Sequence, residues 1–428
     1  MNVGVVGAGP AGLTAAYLLK LSGHHPVVFE SDDTVGGRTK TIHLGPGHHF
    51  DSGAGWISNT HRETLGFCSS VGIADELTPV DVRNHVHISR SGTLLKIAGG
   101  FAFQSGTSGH KLPLRERIRL AAWLAGLRVR EHLYPGAGNL HLDEVRAESH
   151  IVECIGEYAV SAIFEPMAAT ACFTLSQLSA AAVRVLARDY FSGRFYSLAH
   201  GMDSLWKRVA THLEVEVAKP VRRIVARERS GVELVFDSGT AMCFDGCVVA
   251  APITRVKEIL DGIELPPWAY SVRYAPCVRV YGVRIGSARR ADVYPAGLAD
   301  EQVSVSRSGG EWLFGPVPRG HSAAVVSAVG RLAADLLDEP DEKVEKLLWE
   351  RGAAIDPELF GIDCCYSVEV VRWPEAMPVF GLGHLKNLAS WKQAPPVVFA
   401  GDWTSSPSIE GAIRSGIEAA SQFGKATT

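Results

Sequence analysis

The sequence predicts an α/β fold, α+β over the whole chain, in which one domain is assembled from separate segments and a second is inserted between them. Residues 2–30 follow the order strand, glycine turn, helix, strand, and residues 397–423 return to strand, turn and helix. Between these ends lie a long helical stretch and two blocks of short alternating strands. The first unit opens a Rossmann-type sheet, so we expect the two ends of the chain to meet in one discontinuous domain.

Composition and charge place the chain among ordinary globular proteins. It has 428 residues, of which 46% are hydrophobic, and a formal net charge of -4. At roughly 150 residues per domain, this length predicts two or three domains. The charge lacks the basic excess that binding to nucleic acid requires, so we expect no nucleic-acid partner. The sequence has neither a membrane-spanning apolar run nor the charged start of a signal peptide, which predicts no transmembrane segment and a cytoplasmic location.

Periodicity and turn residues predict each element in order. The predicted elements are a strand at 3–6, a helix at 13–21, a strand at 26–30, helices from 113–134 onward to 187, a helix at 205–213, strands at 214–218, 221–228, 232–236, 247–251, 278–285 and 323–330, a helix at 342–351, a strand at 397–400 and a helix at 409–423. The helix at 113–134 has arginines on much of its surface and one apolar face, formed by Ile118, Ala121, Ala122, Ala125 and Val129. Its basic surface could be solvated or could touch an acidic membrane surface peripherally.

The cysteines are scattered through apolar segments. They are Cys68, Cys154, Cys172, Cys243, Cys247, Cys277, Cys364 and Cys365. They lack the paired spacing of zinc ligands, so we predict no metal site and interpret them as reduced core residues. Cys364 and Cys365 are the one pair of neighbours in the sequence.

The segment from Gly7 to Gly12 has the spacing of a dinucleotide-binding turn. Gly7 permits the tight turn, Gly9 lets the backbone approach a pyrophosphate, and Gly12 lets the helix pack on the strand. Pro10 and Ala11 open that helix. Its N-terminus offers free N–H groups and a partial positive charge to phosphates.

A carboxylate follows at the end of the next strand. Glu30 stands 18 residues after Gly12, where it can accept ribose hydroxyls, and Ser31 beside it is included in the same predicted site. The carboxylate would repel a 2′-phosphate, which disfavours NADP. This motif does not separate NAD from FAD.

Three further motifs resemble those of a known family, and this resemblance separates FAD from NAD. They are Gly36-Gly37-Arg38-Thr39, then Phe50-Asp51-Ser52-Gly53-Ala54-Gly55-Trp56-Ile57, and Phe399-Ala400-Gly401-Asp402-Trp403 followed by Ile409-Glu410-Gly411-Ala412-Ile413-Arg414-Ser415-Gly416. This set resembles the flavin amine oxidase superfamily, which also contains protoporphyrinogen oxidases and phytoene-desaturase-like enzymes. The resemblance covers nearly the whole chain in order, and it implies FAD as the cofactor.

The resemblance implies a role for each motif. Arg38 would neutralise the pyrophosphate, Val221 would hold adenine through its main chain, and Asp402 would accept hydroxyls on the ribityl or ribose side. The backbone of 53–56 would pass beside the isoalloxazine ring, and the helix beginning near Glu410 would point its N-terminal amides at flavin N1 and O2. The residues assigned to the cofactor are therefore Gly7, Gly9, Pro10, Ala11, Gly12, Glu30, Ser31, Gly37, Arg38, Gly53, Ala54, Gly55, Trp56, Val221, Gly401, Asp402, Ser408, Ile409, Glu410, Gly411, Ala412 and Ile413.

Two positions depart from the amine-oxidising branch of the superfamily. There a lysine approaches flavin N5 through water and two aromatic rings flank the substrate amine. This sequence has Arg279 and Ser408 at the corresponding places. Both departures count against simple amine oxidation. No cysteine stands at 377–381, where covalently flavinylated relatives carry theirs, so the FAD is expected to be noncovalent.

A later stretch is more similar to the protoporphyrinogen-oxidase pattern. It contains Arg372-Trp373-Pro374, Met377-Pro378-Val379-Phe380 and Gly383-His384-Leu385. That branch takes bulky, largely apolar substrates, for which a small Ser408 leaves room. We predict Arg279, Trp373 and Phe380 as pocket-lining groups of the catalytic site, and interpret His384 as a capping or structural residue.

These assignments predict a discontinuous FAD-binding domain with an inserted substrate domain. The FAD-binding parts are expected at 1–83, 201–262 and 387–428. The substrate domain is expected at 84–200, which is mainly helical, and at 263–386, which forms a mixed β-sheet.

The function that follows is an FAD-dependent oxidoreductase, either an oxidase or a dehydrogenase. It would move a hydride from a C–H bond of a bulky, largely apolar small molecule to flavin N5, in a C–C or C–N desaturation, and pass electrons to oxygen or another acceptor. Oxidation of an amine or amino acid is the alternative within this class. A flavin-dependent isomerase or mutase without net redox is the alternative outside it, and a flavoprotein that only binds or senses a ligand is a third. A monomer or a homodimer is expected.

Overall fold

Two large sheets and a layer of helices dominate the part of the chain that the structure describes. The structure is a computed structural model, and it describes residues 1–45, 48–80, 84–88, 94–98, 102–105, 112–129, 140–191, 194–227, 231–285, 296–298, 303–308, 321–355 and 366–424. Helices and strands both occur throughout these residues. This architecture confirms the predicted α/β class.

A five-stranded parallel sheet joins distant parts of the chain. Its strands lie in the order Glu214–Glu216, His25–Phe29, Asn2–Val6, Gly246–Val249 and Val397–Phe399. All neighbouring pairs are parallel. Parallel neighbours need crossover connections, which place other elements on both faces of the sheet. The first and last strands of the chain therefore share one sheet, whereas the domain boundaries stay predictions.

The two faces of the central strand Asn2–Val6 pack into different cores. Val3 and Val5 are fully buried in a cluster that includes the helices Pro10–Leu21 and Ile409–Ser421. The other face packs against a smaller sheet with the strands Ala241–Phe244, Val232–Phe236, Val221–Ala226 and Leu260–Asp261. Side chains of a strand alternate between faces, so an apolar run is needed where both faces are covered.

The long strand Tyr274–Ile285 belongs to a second, antiparallel sheet. The strand order is Ala296–Leu298, Val303–Ser308, His321–Val329, Tyr274–Ile285 and Tyr366–Pro378. Val278 and Val280 pack under the helices Gly330–Leu336 and Asp341–Ile355. Strand residues alternate between faces. The opposite face of this strand therefore carries Cys277, Arg279 and Tyr281.

Four helices form a layer with one apolar core: Leu114–Val129, Ala147–Cys154, Glu165–Thr170 and Ala180–Phe191. The apolar face predicted on the first of them points to solvent, because Ile118 is 63% exposed and the three alanines of that face are exposed as well. Trp123 and Leu124 are buried instead, since larger apolar side chains gain more from burial than alanines do. The predicted end of this helix, 130–134, and the side chain of Val129 lie outside the described residues.

The remaining elements connect these layers. The other strands are Thr41–Gly45, His48–Asp51, Ile57–Ser58, Leu77–Val80, Asn84–Ile88, Leu94–Ala98, Ala102–Ser105 and Phe195–Leu198. The other helices are Arg62–Ser70, Ser204–Ala210, Ile253–Ile259 and His384–Ser390, with short helical turns at Ala74–Glu76, Leu140–Glu144, Glu157–Ala159, Val160–Phe164, Leu175–Gln177, Pro267–Ser271 and Asp402–Thr404. No helix within the described ranges combines the length and the apolar character that crossing a membrane requires.

The helices Pro10–Leu21 and Ile409–Ser421 pack closely at Gly416. A Cβ atom there would overlap the carbonyl oxygen of Ala11 and lie 2.9 Å from the Cβ of Thr14. We expect Gly416→Ala to lower the free energy of unfolding by about 1–3 kcal/mol, because the two helices must move apart. Urea denaturation followed by circular dichroism measures this change.

The matched control is Gly66→Ala in the helix Arg62–Ser70, where no atom lies within 4 Å of the added Cβ. Alanine favours a helix over glycine, so this variant should keep its stability or gain up to about 1 kcal/mol. Equal losses in the two variants would contradict the close packing at Gly416.

Candidate active site

The first glycine loop forms a tight turn with open space on one side. Gly7 has φ +103°. A Cβ at Gly12 would overlap the Gly7 carbonyl oxygen, so the helix begins directly against the turn. At Gly9, in contrast, no atom lies within 4 Å of the position that a Cβ would take. The loop thus leaves a gap at the helix N-terminus, next to Pro10 and Ala11, which a phosphate group could enter.

Glu30 borders this loop from the neighbouring strand. Its Oε2 accepts a hydrogen bond from Ala8 N–H at 2.6 Å. Its Oε1 accepts from Asp32 N–H at 2.9 Å and from Ser31 Oγ at 3.0 Å. The residue is 8% exposed. A carboxylate has about four acceptor positions, so it can still receive ribose hydroxyls at this edge.

Val221 begins a strand beside the same edge. Two residues earlier, Lys219 N–H donates to the Glu30 carbonyl at 2.8 Å. The Val221 carbonyl accepts a hydrogen bond from Arg255 Nη2 at 3.4 Å. The main chain of Val221 therefore lies near the Glu30 end of the sheet, and its contact with adenine stays a prediction.

An ion pair joins the second glycine motif to the C-terminal part of the chain. Arg38 Nη2 and Asp402 Oδ1 are 2.8 Å apart. Arg38 Nη1 also donates to the Ala376 carbonyl at 3.0 Å, and the guanidinium lies 5.3 Å from the Tyr274 ring centre. Burial alone would lower the pKa of Arg38, but Asp402 and Tyr274 raise it above its ordinary value. Arg38 therefore carries a permanent positive charge.

Gly37 packs directly against the first loop. It has φ +51°, and a Cβ there would lie 3.2 Å from Gly9 Cα. Arg38 consequently follows beside the gap at Gly9, where a guanidinium can neutralise a pyrophosphate. Asp402 approaches Arg38 from the other side, after Gly401, whose φ is +143°. The structure thus brings both glycine motifs and the predicted hydroxyl acceptor together.

Two side chains of the antiparallel sheet hold the backbone at Ser52 and Gly53. Arg279 Nη1 donates to the Ser52 carbonyl at 3.1 Å and to the Gly53 carbonyl at 2.7 Å. Trp373 Nε1 donates to the same Ser52 carbonyl at 2.9 Å. A guanidinium does not act as a proton acceptor in proteins. Arg279 therefore positions the first residue of the segment 53–56, which is predicted to flank the isoalloxazine ring, and cannot serve as a base.

An apolar pocket opens between the helix Ala180–Phe191 and the start of the helix Ile409–Ser421. Phe380 belongs to its wall, whereas Arg279 and Trp373 donate hydrogen bonds to the Ser52 carbonyl, and the catalytic-site role of all three stays a prediction. The residues that line it are Phe173, Leu178, Ala182, Val185, Leu186, Asp189, Phe380, Leu385, Ser405, Ser406, Pro407 and Ser408. Hydrophobic side chains thus form most of the wall, and the serines form one polar edge.

Ser408 belongs both to this polar edge and to a helix N-terminus. Its Oγ accepts a hydrogen bond from Gly411 N–H at 3.0 Å, so it caps the helix Ile409–Ser421. A Cβ at Gly411 would overlap the Ser406 carbonyl oxygen. The pocket and the positive end of this helix are therefore adjacent.

The carboxylate of Glu410 serves the packing of two helices. It is fully buried, and its Oε2 accepts from Thr64 N–H at 2.9 Å and from Thr64 Oγ1 at 2.8 Å. Its Oε1 accepts from Glu63 N–H at 3.2 Å, so it caps the helix Arg62–Ser70. Three neighbouring side chains are buried in the same core as Val3 and Val5, namely those of Ile409, Ala412 and Ile413. Their contact with a cofactor stays a prediction.

The comparison with known proteins identifies the family. Residues 10–422 match the family described as flavin containing amine oxidoreductase. The chain belongs to this family. Membership confirms the resemblance noted in the sequence, and it implies a flavin cofactor and an oxidoreductase.

Relatives of this flavoenzyme have several activities. Coproporphyrinogen III oxidase of Mycobacterium bovis is 25% identical to it over 92% of this chain and 91% of its own length. The solved structure of putrescine oxidase bound to putrescine has a TM-score of 0.78 at 18% identity and covers 99% of both chains. A fatty acid isomerase from P. acnes that produces CLA has a TM-score of 0.73 at 14% identity, covering 99% of this chain and 98% of its own. These two structural similarities, at identities of 18% and 14%, show that this chain shares the fold of the two enzymes.

Matches to flavin monoamine oxidases are shorter. The flavin-containing amine oxidase of Oncorhynchus mykiss is 39% identical over 17% of this chain and 14% of its own length. Alignments with two further monoamine oxidases span 16% and 18% of those relatives. The activity and substrate of this flavoenzyme are therefore matters for a proposal.

Sequence reasoning missed Asp189, which lies in the wall of the pocket. Its carboxylate accepts from Thr60 Oγ1 at 2.7 Å and from Arg188 Nη2 at 2.6 Å, and His61 Nε2 lies 3.6 Å away. Burial would raise the pKa of Asp189, but His61, Arg188 and Thr60 hold it below its ordinary value. No local motif marks this residue, since Thr60 is 129 residues away in the sequence.

The remaining ring-flanking residues connect the flavoenzyme's glycine motifs to this network. Ala54 N–H donates to the Arg38 carbonyl at 3.0 Å, and Gly55 is buried. The ring of Trp56 stacks on His61, with 6.3 Å between the ring centres. The backbone beside the predicted flavin position is therefore supported from Arg38 at one end and from His61 at the other.

His384 has the contacts of a structural residue. Its Nε2 lies 3.1 Å from the Trp403 carbonyl oxygen, and its ring centre lies 4.0 Å from that of Phe380. Burial lowers the pKa of His384 to about 4. A neutral ring that donates to a carbonyl orients Phe380 in the pocket wall and supports the structural interpretation.

Asp51 directly precedes the Ser52 carbonyl that Arg279 and Trp373 hold. Its Oδ1 accepts from Thr41 Oγ1 at 2.6 Å and from Met202 N–H at 2.9 Å. Burial raises the pKa of Asp51 to about 7, although these hydrogen bonds act in the opposite direction. A buried carboxyl that binds its proton near neutral pH thus lies beside the predicted flavin site.

Replacing Asp51 should change how stability depends on pH. An unfolded Asp has a pKa of about 3.9, so the stability that the folded carboxyl gains by binding a proton is fully present below about pH 4 and is lost as the pH rises through about 7. Asp51→Asn keeps an acceptor oxygen but no charge. We expect it to gain stability relative to the wild type between pH 5 and pH 8, by up to about 3 kcal/mol.

Urea unfolding at the two pH values measures this difference. Asp237→Asn, at an exposed turn residue, is the control and should follow the wild type at both values. A difference between wild type and Asp51→Asn that is the same at both pH values would mean that the Asp51 carboxyl is already ionised at the lower one.

Proposed function

We propose that this protein is an FAD-dependent oxidoreductase that removes a hydride from a C–H bond of a bulky, largely apolar small molecule. The bound flavin supplies the hydride acceptor and passes the electrons to oxygen or another acceptor. The observation that carries the proposal is the apolar pocket that meets the N-terminus of the helix Ile409–Ser421 at Ser408. A substrate in this pocket would lie beside the helix end expected to face the flavin.

The glycine motifs support FAD as the form of the flavin. The gap at Gly9 and the charge of Arg38 suit a pyrophosphate, and Glu30 suits ribose hydroxyls. The residues at 377–381 are methionine, proline, valine, phenylalanine and glycine. Because no thiol stands in this stretch, where covalently flavinylated relatives carry theirs, noncovalent binding is favoured.

The chemistry of the pocket wall supports a largely apolar substrate that carries no positive charge. Aromatic and aliphatic side chains such as Phe173, Leu178 and Phe380 form most of it. Asp189 is the ionisable group among its described lining residues, and Arg188 already neutralises that carboxylate at 2.6 Å. A protonated amine would find little unpaired negative charge here, because a carboxylate with its own ion pair attracts a second cation weakly.

The role of Arg279 supports hydride transfer without a base at that position. Its guanidinium binds the backbone carbonyls of Ser52 and Gly53, at 3.1 and 2.7 Å. The contribution of the chain would then be to place the donor carbon at the right distance from the flavin and to hold it there.

A porphyrinogen is the first substrate to test. The relative named for coproporphyrinogen III aligns with nine tenths of this chain, and porphyrinogens are bulky macrocycles. Two alternatives occur on the same fold in the proteins compared above. One is oxidation of an amine, and the other is isomerisation without net redox.

Mixing the FAD-loaded protein with candidate substrates without oxygen separates these reactions. We expect a porphyrinogen to bleach the flavin absorbance near about 450 nm, because a two-electron oxidation must leave the flavin reduced. A panel of primary amines and a polyene fatty acid is measured in parallel. Bleaching by a simple amine and not by the porphyrinogen would overturn the substrate class. Product formation without any bleaching would replace the oxidoreductase with an isomerase.

Ser408 offers a test of the pocket itself. Ser408→Tyr places a ring in the space beside Phe380, so we expect kcat/KM for a bulky substrate to fall by about tenfold or more. Ser408→Ala is the matched control. It removes the helix cap at a cost of about 1 kcal/mol in stability but leaves the space open, so kcat/KM should stay within about twofold of the wild type.

Both Ser408 variants should keep the flavin absorbance spectrum, which shows that the cofactor is bound. Equal turnover by the tyrosine variant and the wild type would mean that the bulky substrate binds elsewhere. Equal losses in both variants would assign the effect to the cap and not to the pocket.

A further inference from the structure

Two cysteines from distant segments contact each other behind the predicted flavin site. Cys172 follows the helix Glu165–Thr170, and Cys277 lies on the strand Tyr274–Ile285. Their side chains pack in one buried cluster with Trp373. Cys172 is 5% exposed and Cys277 is fully buried. The pair therefore meets only molecules small enough to enter the protein.

Cys172 ends the helix Glu165–Thr170 in the left-handed conformation, with Cys172 N–H donating to the Ala169 carbonyl at 3.0 Å and Phe173 N–H to the Ala168 carbonyl at 2.9 Å. Its φ is +66°, and Ala218 is the other non-glycine residue with a positive φ among those the structure describes. This conformation is common at the ends of helices, where glycine is the usual residue. Glycine would adopt it without strain, but glycine has no thiol to place against Cys277.

The environment of Cys277 favours the thiolate. The hydrogen bond from Cys172 and the charge of Arg279 lower the pKa of Cys277, although burial acts in the opposite direction, and Ser327 donates as well. Cys172, which donates this hydrogen bond, has a raised pKa and keeps its proton. Burial raises the pKa of Cys68 to about 12. The pair thus combines a thiolate with a neighbouring thiol, whereas Cys68 stays protonated and unreactive.

We propose that Cys172 and Cys277 are a redox-active dithiol that hydrogen peroxide converts into an intramolecular disulfide. The Cys277 thiolate attacks one peroxide oxygen, the O–O bond breaks, and a sulfenic acid and hydroxide result. The Cys172 sulfur then attacks the Cys277 sulfur, the S–S bond forms and the S–O bond breaks. The Cys172 proton leaves with the second hydroxide as water. The thiolate and the thiol together lose two electrons, and the peroxide is reduced to one water and one hydroxide, which takes a proton from solvent to give the second water.

Closure of the disulfide would act on the site through Arg279. Cys277 and Arg279 are on one face of the strand, and Cys277 is opposite Trp373 in the sheet register. Arg279 and Trp373 both hold the Ser52 carbonyl. Oxidation removes the negative partner of the guanidinium and pulls on the strand that carries it. This inference goes beyond the proposed function and does not depend on the substrate.

Peptide mapping of the FAD-loaded protein tests the proposal directly. The protein is treated with about one equivalent of hydrogen peroxide, denatured in iodoacetamide, digested without reductant and analysed by mass spectrometry. We expect a linked peptide that contains Cys172 and Cys277, which dithiothreitol separates again. The thiols of Cys172 and Cys277 should be oxidised at a rate about tenfold or more above that of the Cys68 thiol, which is the internal control. Faster oxidation of Cys68 or of the exposed Cys243 than of the pair would overturn the proposal.

Single variants identify the order of the two steps. Cys172→Ser should give no linked peptide and should leave Cys277 as a sulfenic acid that dimedone captures. Cys277→Ser should leave Cys172 alkylatable after the same dose. Cys68→Ser is the matched control and should form the linked peptide as the wild type does. The absence of a linked peptide in the folded wild-type protein would overturn the proposal whether or not the variants fold.

Discussion

The ion pair between Arg38 and Asp402 holds together the segments on which the site is built. Its partners are 364 residues apart in the sequence and 2.8 Å apart in space. The same guanidinium binds the Ala376 carbonyl, so it also reaches the antiparallel sheet. Removing one partner of a largely buried pair leaves an uncompensated charge, at a cost of about 3–5 kcal/mol. This contact therefore connects the second glycine motif, the antiparallel sheet and the segment before the C-terminal helix, in addition to the helix packing at Gly416.

The two faces of the strand Tyr274–Ile285 have different roles. Val278 and Val280 anchor it under two helices, while Cys277 and Arg279 face the ring-flanking backbone. Arg279 donates from one nitrogen, Nη1, to both carbonyls, and its guanidinium keeps its proton, whereas a buried lysine can lose one. The departure from the amine-oxidising pattern therefore has a structural meaning. It replaces a group that could exchange a proton with one that fixes the backbone.

The pocket and the cofactor side of the site differ in polarity, and the serines near Ser408 mark the boundary between them. On one side are the charge of Arg38 and the N-terminus of the helix Ile409–Ser421. On the other side are apolar side chains and Asp189, whose charge Arg188 neutralises. A substrate would thus be bound mainly by apolar contact, and developing charge would be stabilised on the flavin side.

The sequence by itself determined the α/β class, the parallel sheet and the glycine loops, because these follow from short-range constraints such as the positive φ of Gly7 and the close approach at Gly12. The resemblance also pointed to Phe380, whose role in the catalytic site stays a prediction. Only the tertiary structure decided which face of the helix Leu114–Val129 is buried, because both of its faces are partly apolar. The tertiary structure likewise decided which polar groups pair over long separations, as shown by the Glu410 cap, the network of Asp189, the role of Arg279 and the contact between Cys172 and Cys277. Such pairs leave no periodic signal, since each depends on how separately folded segments pack against one another.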